Sequence, residues 1–390
     1  MPFGLVITSL RGVEDSEAIF NKRINMKRNV GFLIILLIGL PLWSQNAINS
    51  KSTIAYRNAL YSYENKEYGK ALKYAEDAIL YRKEQITSDY NMIQTSLASR
   101  EVKKAGDDID SIITVLLSRD EYECVDLIKY YNSKTESGGS INNVLAYIKN
   151  HEQYPEAQKL IGDIYKLEGE YDFAEQYYLK ALENASSLDV PDEKYEIIYL
   201  LADLSRLKKD YDSMEIRLLN IIGKEQNERN MLLARSMKST VSKNNAAAIE
   251  KYFTMYRADG YFSLKAYLEL SSYYQSINEL DKAFDYSALA VITGFTKVYN
   301  VLSKRDIDFE YTDIASFLDL IQYHPDILKW GNDNGVWQSF NLFCTICSQK
   351  GYDIFSAEFL KILAFHSPQK FWQQDAVLRL DKLDGIKNPD

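Results

Sequence analysis

What most constrains this chain is a recurrence of small and aromatic residues at helical spacing. It is clearest in residues 155–188, PEAQKLIGDIYKLEGEYDFAEQYYLKALENASSL, which read as two short amphipathic helices joined by a turn at Gly169. Pro155 suits a first helical turn, where its missing N–H costs nothing. Gly162 falls in mid-helix, normally a cost of about 1 kcal/mol, so it implies close approach of the paired helix. Tyr165 is expected to fill the groove beside it, and Ala174 to face the Gly162 backbone. Tyr178 and Ala181 are expected to pack back on the first helix and on a neighbouring unit. A lone helical hairpin leaves much of its apolar surface in water, so such a unit needs neighbours.

The pattern returns along the chain. Residues 52–85 carry Ala59, Tyr68, Ala71, Ala75 and Ala78; residues 195–228 carry Leu201, Ala202, Tyr211, Met214, Leu218 and Ile221. Ala248, Tyr252 and Met255 mark residues 229–262, and Ser271, Tyr274, Leu280, Ala283 and Ala290 mark residues 264–297. Met214 and Ala248 are 34 residues apart, Ala248 and Ala283 are 35 apart, and the 40 between Ala174 and Met214 place an insertion near residues 189–194. These residues resemble the tetratricopeptide repeat, a 34-residue helix–turn–helix unit. The resemblance implies an all-α, tetratricopeptide-like α-solenoid, a right-handed superhelix of about seven or eight helical hairpins.

On this reading the solenoid spans residues 52–297. Ala71 and Ala174 lie 103 residues apart, close to three periods, so residues 86–154 are expected to hold two degenerate units, with helical patterns at 88–104, 107–118, 122–131 and 141–149 and a loop at 137–140. Residues 298–390 read as a C-terminal helical region. It has a helix at 312–323 stopped by His324-Pro325, a turn cluster at 331–335, a degenerate pair at 336–350 and 352–365, and a capping helix at 371–383. If units stack in sequence order, overpacking by Ala174→Leu is expected to disturb residues 172–222 and to spare residues 59–78.

With 7 Pro and 17 Gly spread over 390 residues and almost no alternation of β type, nothing opposes an all-α reading. A single core rarely grows to this length, whereas stacked units add core one at a time. Residues 1–44 stand apart. Lys27 and Arg28 precede VGFLIILLIGLPLW, residues 30–43, and Ser44-Gln45 follow. A basic start, a short apolar run and small or polar residues after it resemble a secretory signal peptide. The run is shorter than the roughly 20 residues of a membrane-spanning helix. Met26 is the expected start and cleavage is expected near Ser44-Gln45; an uncleaved anchor is the other reading. Residues 1–44 hold five basic and three acidic residues, so the remainder is more acidic than the net −9 of the whole chain. An acidic, exported chain is a poor nucleic-acid binder.

Chemistry-bearing patterns are sparse. Cys344 and Cys347 lie in the apolar run FNLFCTICSQ, where residues three apart share a packed helix face. A reactive thiol would instead sit at a helix N-terminus. With Cys124 the only other cysteine, no second metal-binding pair exists. His151, His324 and His366 are isolated, and no phosphate loop or GxGxxG occurs. Asn184-Ala185-Ser186 matches a glycosylation sequon, a short motif common by chance. The expectation is therefore no catalytic residue, no metal and no cofactor. The 30 tyrosines read as filling packing positions.

In tetratricopeptide families the first helix of each pair lines a concave groove. Carried over position by position, that face is Glu156, Lys159, Asp163 and Lys166 in one unit, Glu196, Tyr199, Asp203 and Arg206 in the next, and Lys265, Leu268, Ser272 and Gln275 in residues 264–297. The first two sets match in charge and suit polar peptide contacts. An ordinary solvated face with i,i+4 pairs is the plainer reading. On that proposed groove face, Glu156 is expected to tolerate Ala with less than about 0.5 kcal/mol of change. Asp163 and Asp203 stand where some family members use Asn to clamp a peptide carboxylate, so that specificity is not carried over. The resemblance and the signal together imply an exported, periplasmic or secreted, non-catalytic scaffold for a protein or peptide partner in the cell envelope. It would touch membrane only through an uncleaved signal. The alternative is a small-molecule or glycan-binding accessory subunit of a transporter or wall-active enzyme, suggested by Trp330, Trp337 and Trp372.

Overall fold

The computed structural model describes residues 50–135, 138–258 and 261–387. The signal-like segment and the upstream extension lie outside them. The described residues are all-α, with no strand beyond one isolated bridge between Asp108 and Ser140. None of their helices is long and apolar enough to cross a membrane. The chain divides into two compact units between Arg217 and Leu218.

One turn recurs. It joins α1 (Lys51–Glu64) to α2 (Tyr68–Leu97), α4 (Ile109–Leu117) to α5 (Tyr122–Asn132), and α7 (Pro155–Glu168) to α8 (Tyr171–Glu183). It also joins α9 (Glu193–Leu207) to α10 (Tyr211–Ile222), α13 (Leu264–Ser276) to α14 (Leu280–Arg305), and α17 (Val336–Gln349) to α18 (Asp353–His366). In each, one residue takes left-handed φ: Lys66, Asp120, Gly169, Lys209, Asn278 and Gly351, at 55–81°. The next N–H (Glu67, Glu121, Glu170, Asp210, Glu279, Tyr352) donates to the carbonyl five residues back at 2.8–3.1 Å, the bond that closes a Schellman turn. The N–H four residues further on bonds to that same capping residue's carbonyl. It belongs to Ala71, Val125, Ala174, Met214, Ala283 and Ser356, all buried. The turn thus sets which residue of the second helix faces the first. Ser271 Oγ donates to Ala283 O at 2.9 Å and Ser356 Oγ to Cys344 O at 2.8 Å, tying those hairpins directly.

In the first unit, α1, α2 and α7 share one core. Ala59, Ala71 and Ala75 pack with Leu160, Ile161 and Ile164, while Ala55 and Ala78 pack with Tyr154 and Ala157. Alanines on one face let the helix axes approach closely. From Ile86 onward α2 presents larger residues, and Ile86 and Ile93 join a second cluster with Val102, Ile112, Leu116, Ile128 and Ile148. That cluster belongs to α3 (Arg100–Ala105), α4, α5 and α6 (Ile141–Asn150). The expected break near residue 86 is absent, because nothing between Lys70 and Leu97 interrupts the helix; Ser99 then caps a new one by accepting from Val102 N. Consequently α3–α6 pack along the extension of α2 rather than standing between the hairpins. The α1–α2 hairpin meets α7 directly, which corrects the expectation that residues 59–78 are remote from residues 155–188.

The 155–188 unit folds as a hairpin, with Pro155 in the first turn and Gly169 left-handed at φ 81°. The space over Gly162 is filled by Tyr178, not Ala174: a Cβ there would meet the Tyr178 ring at 2.6 Å. Tyr165 stacks on Tyr177, with ring centroids 5.7 Å apart.

The second unit also has an overlong second helix. α14 packs on α17, and α15 (Ile314–Ile321) and α16 (Pro325–Asp333) follow its C-terminal extension. Pro325 therefore opens a helix as well as ending the one before. Gly331 lies inside α16, not in a turn, because the Trp337 ring occupies the place of its Cβ, 2.5 Å away. The core is aromatic: Phe253, Phe295, Phe340, Phe343, Phe355 and Phe359 are all buried and linked by ring-to-ring contacts into one network. Between α11 (Lys224–Val241) and α12 (Ala247–Met255), Asn244 has positive φ but not the shared turn. Its Oδ1 instead accepts from Ile354 N at 2.9 Å and Phe355 N at 3.2 Å, capping α18. α19 (Lys370–Lys387) packs on α18.

Candidate functional site

The eight proposed groove residues of α7 and α9 lie in the first unit, and seven of them have described polar partners or ion pairs within it. Lys159 Nζ sits 3.4 Å from Asp163 Oδ2 and 3.0 Å from Glu196 Oε1. Burial alone would lower the Lys159 pKa, but the carboxylates outweigh it and hold it above the ordinary lysine range. Tyr178 Oη donates to Asp163 Oδ1 at 2.6 Å, so the residue that fills the space over Gly162 also fixes a groove carboxylate. Asp203 pairs with Lys166 of α7 and with Arg206 of its own helix. Burial pushes Asp203 up, and the two cations more than reverse that, leaving it below the usual carboxylate range. The matched charges thus form a ladder between successive first helices. The second helices carry a further set: Lys208, in the turn after α9, bonds to Asp172 at 2.7 Å and Glu175 at 2.9 Å of α8, and Glu175 also pairs with Arg217 of α10.

Glu156 does not fit the expected solvated face. It is 7% exposed; Oε1 accepts from Asp189 N at 2.7 Å, and Oε2 is buried without a partner. Burial pushes its carboxyl above the usual range, opposed by the Asp189 hydrogen bond. It holds the segment leaving α8 onto α7, so the exposed setting behind the near-neutral expectation is absent. Tyr199 is half-buried.

Of the four residues in the second unit, Lys265 and Ser272 are exposed, Leu268 is buried and Gln275 is half-buried. Leu268 is packed against the turn at Gly335, where a Cβ would meet its Cδ2 at 2.7 Å, so it serves the core rather than a groove. Gln275 donates to Gln349 Oε1 at 3.0 Å and lines a cavity of about 160 Å³ together with Gln338, Asn341, Thr345, Trp372 and Arg379. Asn341 is 1% exposed; its Nδ2 donates to Trp337 O at 3.2 Å, while Oδ1 has no partner. A buried acceptor left unpaired costs about 1–3 kcal/mol. Arg379 Nε lies 2.7 Å from Asp375 Oδ2, so its charge is already matched. Apart from Gln275 and Trp372, sequence reading singled out none of these residues. They become neighbours only when α13, α17 and α19 meet.

Cys344 and Cys347 are fully buried within α17, and burial pushes both thiols up. His151 stacks on Tyr147, with ring centroids 3.7 Å apart, and His366 Nδ1 lies 2.8 Å from Asp319 Oδ2. Among the described residues, no group of three or more His, Cys, Asp or Glu side chains is placed to hold a metal.

No family model matches the chain. An uncharacterized protein of Treponema pallidum (strain Nichols) is 30% identical to it over 300 residues, covering 74% of this chain and 79% of the treponemal one. The chain belongs to that protein's family. Membership in this family assigns no chemistry.

Proposed function

We propose that the protein is an exported, non-catalytic scaffold of tetratricopeptide type that holds a protein or peptide partner in the cell envelope. The observation that carries this reading is the shared turn: six hairpins with one backbone hydrogen-bond pattern and one buried position after it, the local plan of a helix-pair repeat. The signal-like residues 27–45 support export. The α7–α9 ladder supports a surface whose charges are held in place before a partner arrives, which lowers the ordering cost of binding.

A photo-reactive residue at Tyr199, beside the ladder, is expected to cross-link one defined envelope protein in cells. The same probe at Leu179, 40% exposed on α8, is expected not to do so. Identical adducts from both positions, or none from Tyr199, would defeat the scaffold reading. The intact mass of the cross-linked chain is expected to lack residues 1–44; retention of residues 30–43 would point to the anchored form instead. A second reading, a small-molecule or glycan-binding subunit, is favoured by the cavity beside Trp372.

A further inference from the structure

We propose that the cavity between α13, α17 and α19 is a binding site for a single neutral, hydroxyl-bearing ring, a hexose or N-acetylhexosamine unit. Three observations converge on it. Trp372 borders the cavity and is half-buried, and the Phe371 ring stands edge-on to it with centroids 4.7 Å apart, steadying an indole on which a sugar ring can stack. Asn341, in the cavity wall, carries a buried Oδ1 with no hydrogen-bond partner, and an entering hydroxyl supplies the missing donor. Gln338 adds an exposed amide and Thr345 a hydroxyl, so the wall offers both donors and acceptors.

The charge pattern separates a neutral ligand from an acidic one. Arg379 is the only cation among the described residues of the wall, and Asp375 lies 2.7 Å from its Nε. That pairing neutralises the cation, so the wall offers a carboxylate ligand no unmatched positive charge that a neutral one would lack. Size sets the other limit. At about 160 Å³ the cavity is well below the roughly 300–1,000 Å³ of drug-sized sites, so it takes one ring and not an oligomer.

The site is independent of the scaffold reading, and the two fail separately: one by cross-linking at Tyr199, the other by titration of a ligand. The test is saturation-transfer nuclear magnetic resonance on the full chain with glucose, N-acetylglucosamine and glucuronate, followed by competition to obtain affinities. The site predicts transfer to at least one of the two neutral sugars and a weaker response from glucuronate. Trp372→Ala should weaken binding by tenfold or more, and Gln338→Ala by a few-fold; both side chains are at least partly exposed, so the fold is kept. Trp330→Ala, which removes an indole outside the cavity wall, should leave binding unchanged. A chito-oligosaccharide should bind no more tightly than N-acetylglucosamine, and one that binds tenfold more tightly would contradict a one-ring site. No transfer from either neutral sugar, a preference for glucuronate, or binding unaffected by Trp372→Ala would overturn the proposal.

Discussion

At the scale of single residues, the informative positions are those where packing reassigns a side chain. Glu156 is charged and opens α7, so sequence places it in water. The fold instead lays residue 189 across it, and its carboxyl becomes buried with one oxygen bonded and one orphaned. Because burial raises its pKa, the folded state binds a proton at a pH where the unfolded chain does not. The charged form therefore weighs against folding at neutral pH, and that penalty fades as pH falls through the raised value toward the ordinary 4.5. Glu156→Gln keeps an acceptor for Asp189 N and removes the charge. It is expected to be more stable than the native chain at pH 7 in urea denaturation, with the advantage shrinking to nothing below about pH 4. Equal midpoints at pH 7 would mean that the carboxylate is hydrated after all. Gly162 shows the opposite case. The need for a missing side chain is legible, but which ring uses the space is not: Ala174 and Tyr178 are one helical turn apart on the same face, and a small helix rotation exchanges them.

At the scale of elements, the hairpin turns were legible where glycine or proline marks them, as at Pro155 and Gly169, and obscure where lysine, aspartate or asparagine takes the left-handed residue. Lys66, Asp120, Lys209 and Asn278 hold positive φ because the bond to the carbonyl five residues back closes the turn regardless of side chain. L-residues there carry strain of about 1–2 kcal/mol that glycine lacks, offset in part by the greater freedom of glycine in the unfolded chain. Lys209→Gly is thus expected to raise the unfolding free energy by up to about 1 kcal/mol, and Gly169→Ala to lower it by about 1 kcal/mol. Thermal unfolding of the two variants measures both; shifts of the same sign would show that the turns are not equivalent. The unbroken α2 is the instructive miss. Residues 70–97 contain no glycine or proline, so the signal for continuity was present, but the 34-residue period suggested a boundary that packing does not use.

At the scale of the whole molecule, the recurring small residues made an all-α chain of hairpins readable. The order in which hairpins touch was not, because it depends on how far a second helix runs before it stops. α2 with 30 residues and α14 with 26 each outlast the 13 of α8, and the extra turns carry the segments that follow. In the first unit this brings α1 and α2 onto α7, past the whole of residues 98–154. The same dependence hides the Trp372 cavity, whose wall draws on three helices that no local pattern links.

That direct contact is the claim most exposed to test, and hydrogen exchange on Gly162→Ala tests it. The added methyl would drive the Tyr178 ring from its place, at a cost of about 1–3 kcal/mol for overpacking. Amides of residues 155–183 should lose protection, together with those of α1 and of residues 68–80 in α2, while α4 and α5 keep theirs. Lost protection in α4 and α5, with α1 and residues 68–80 unchanged, would mean that the hairpins stack in sequence order and that the arrangement described for the first unit is wrong.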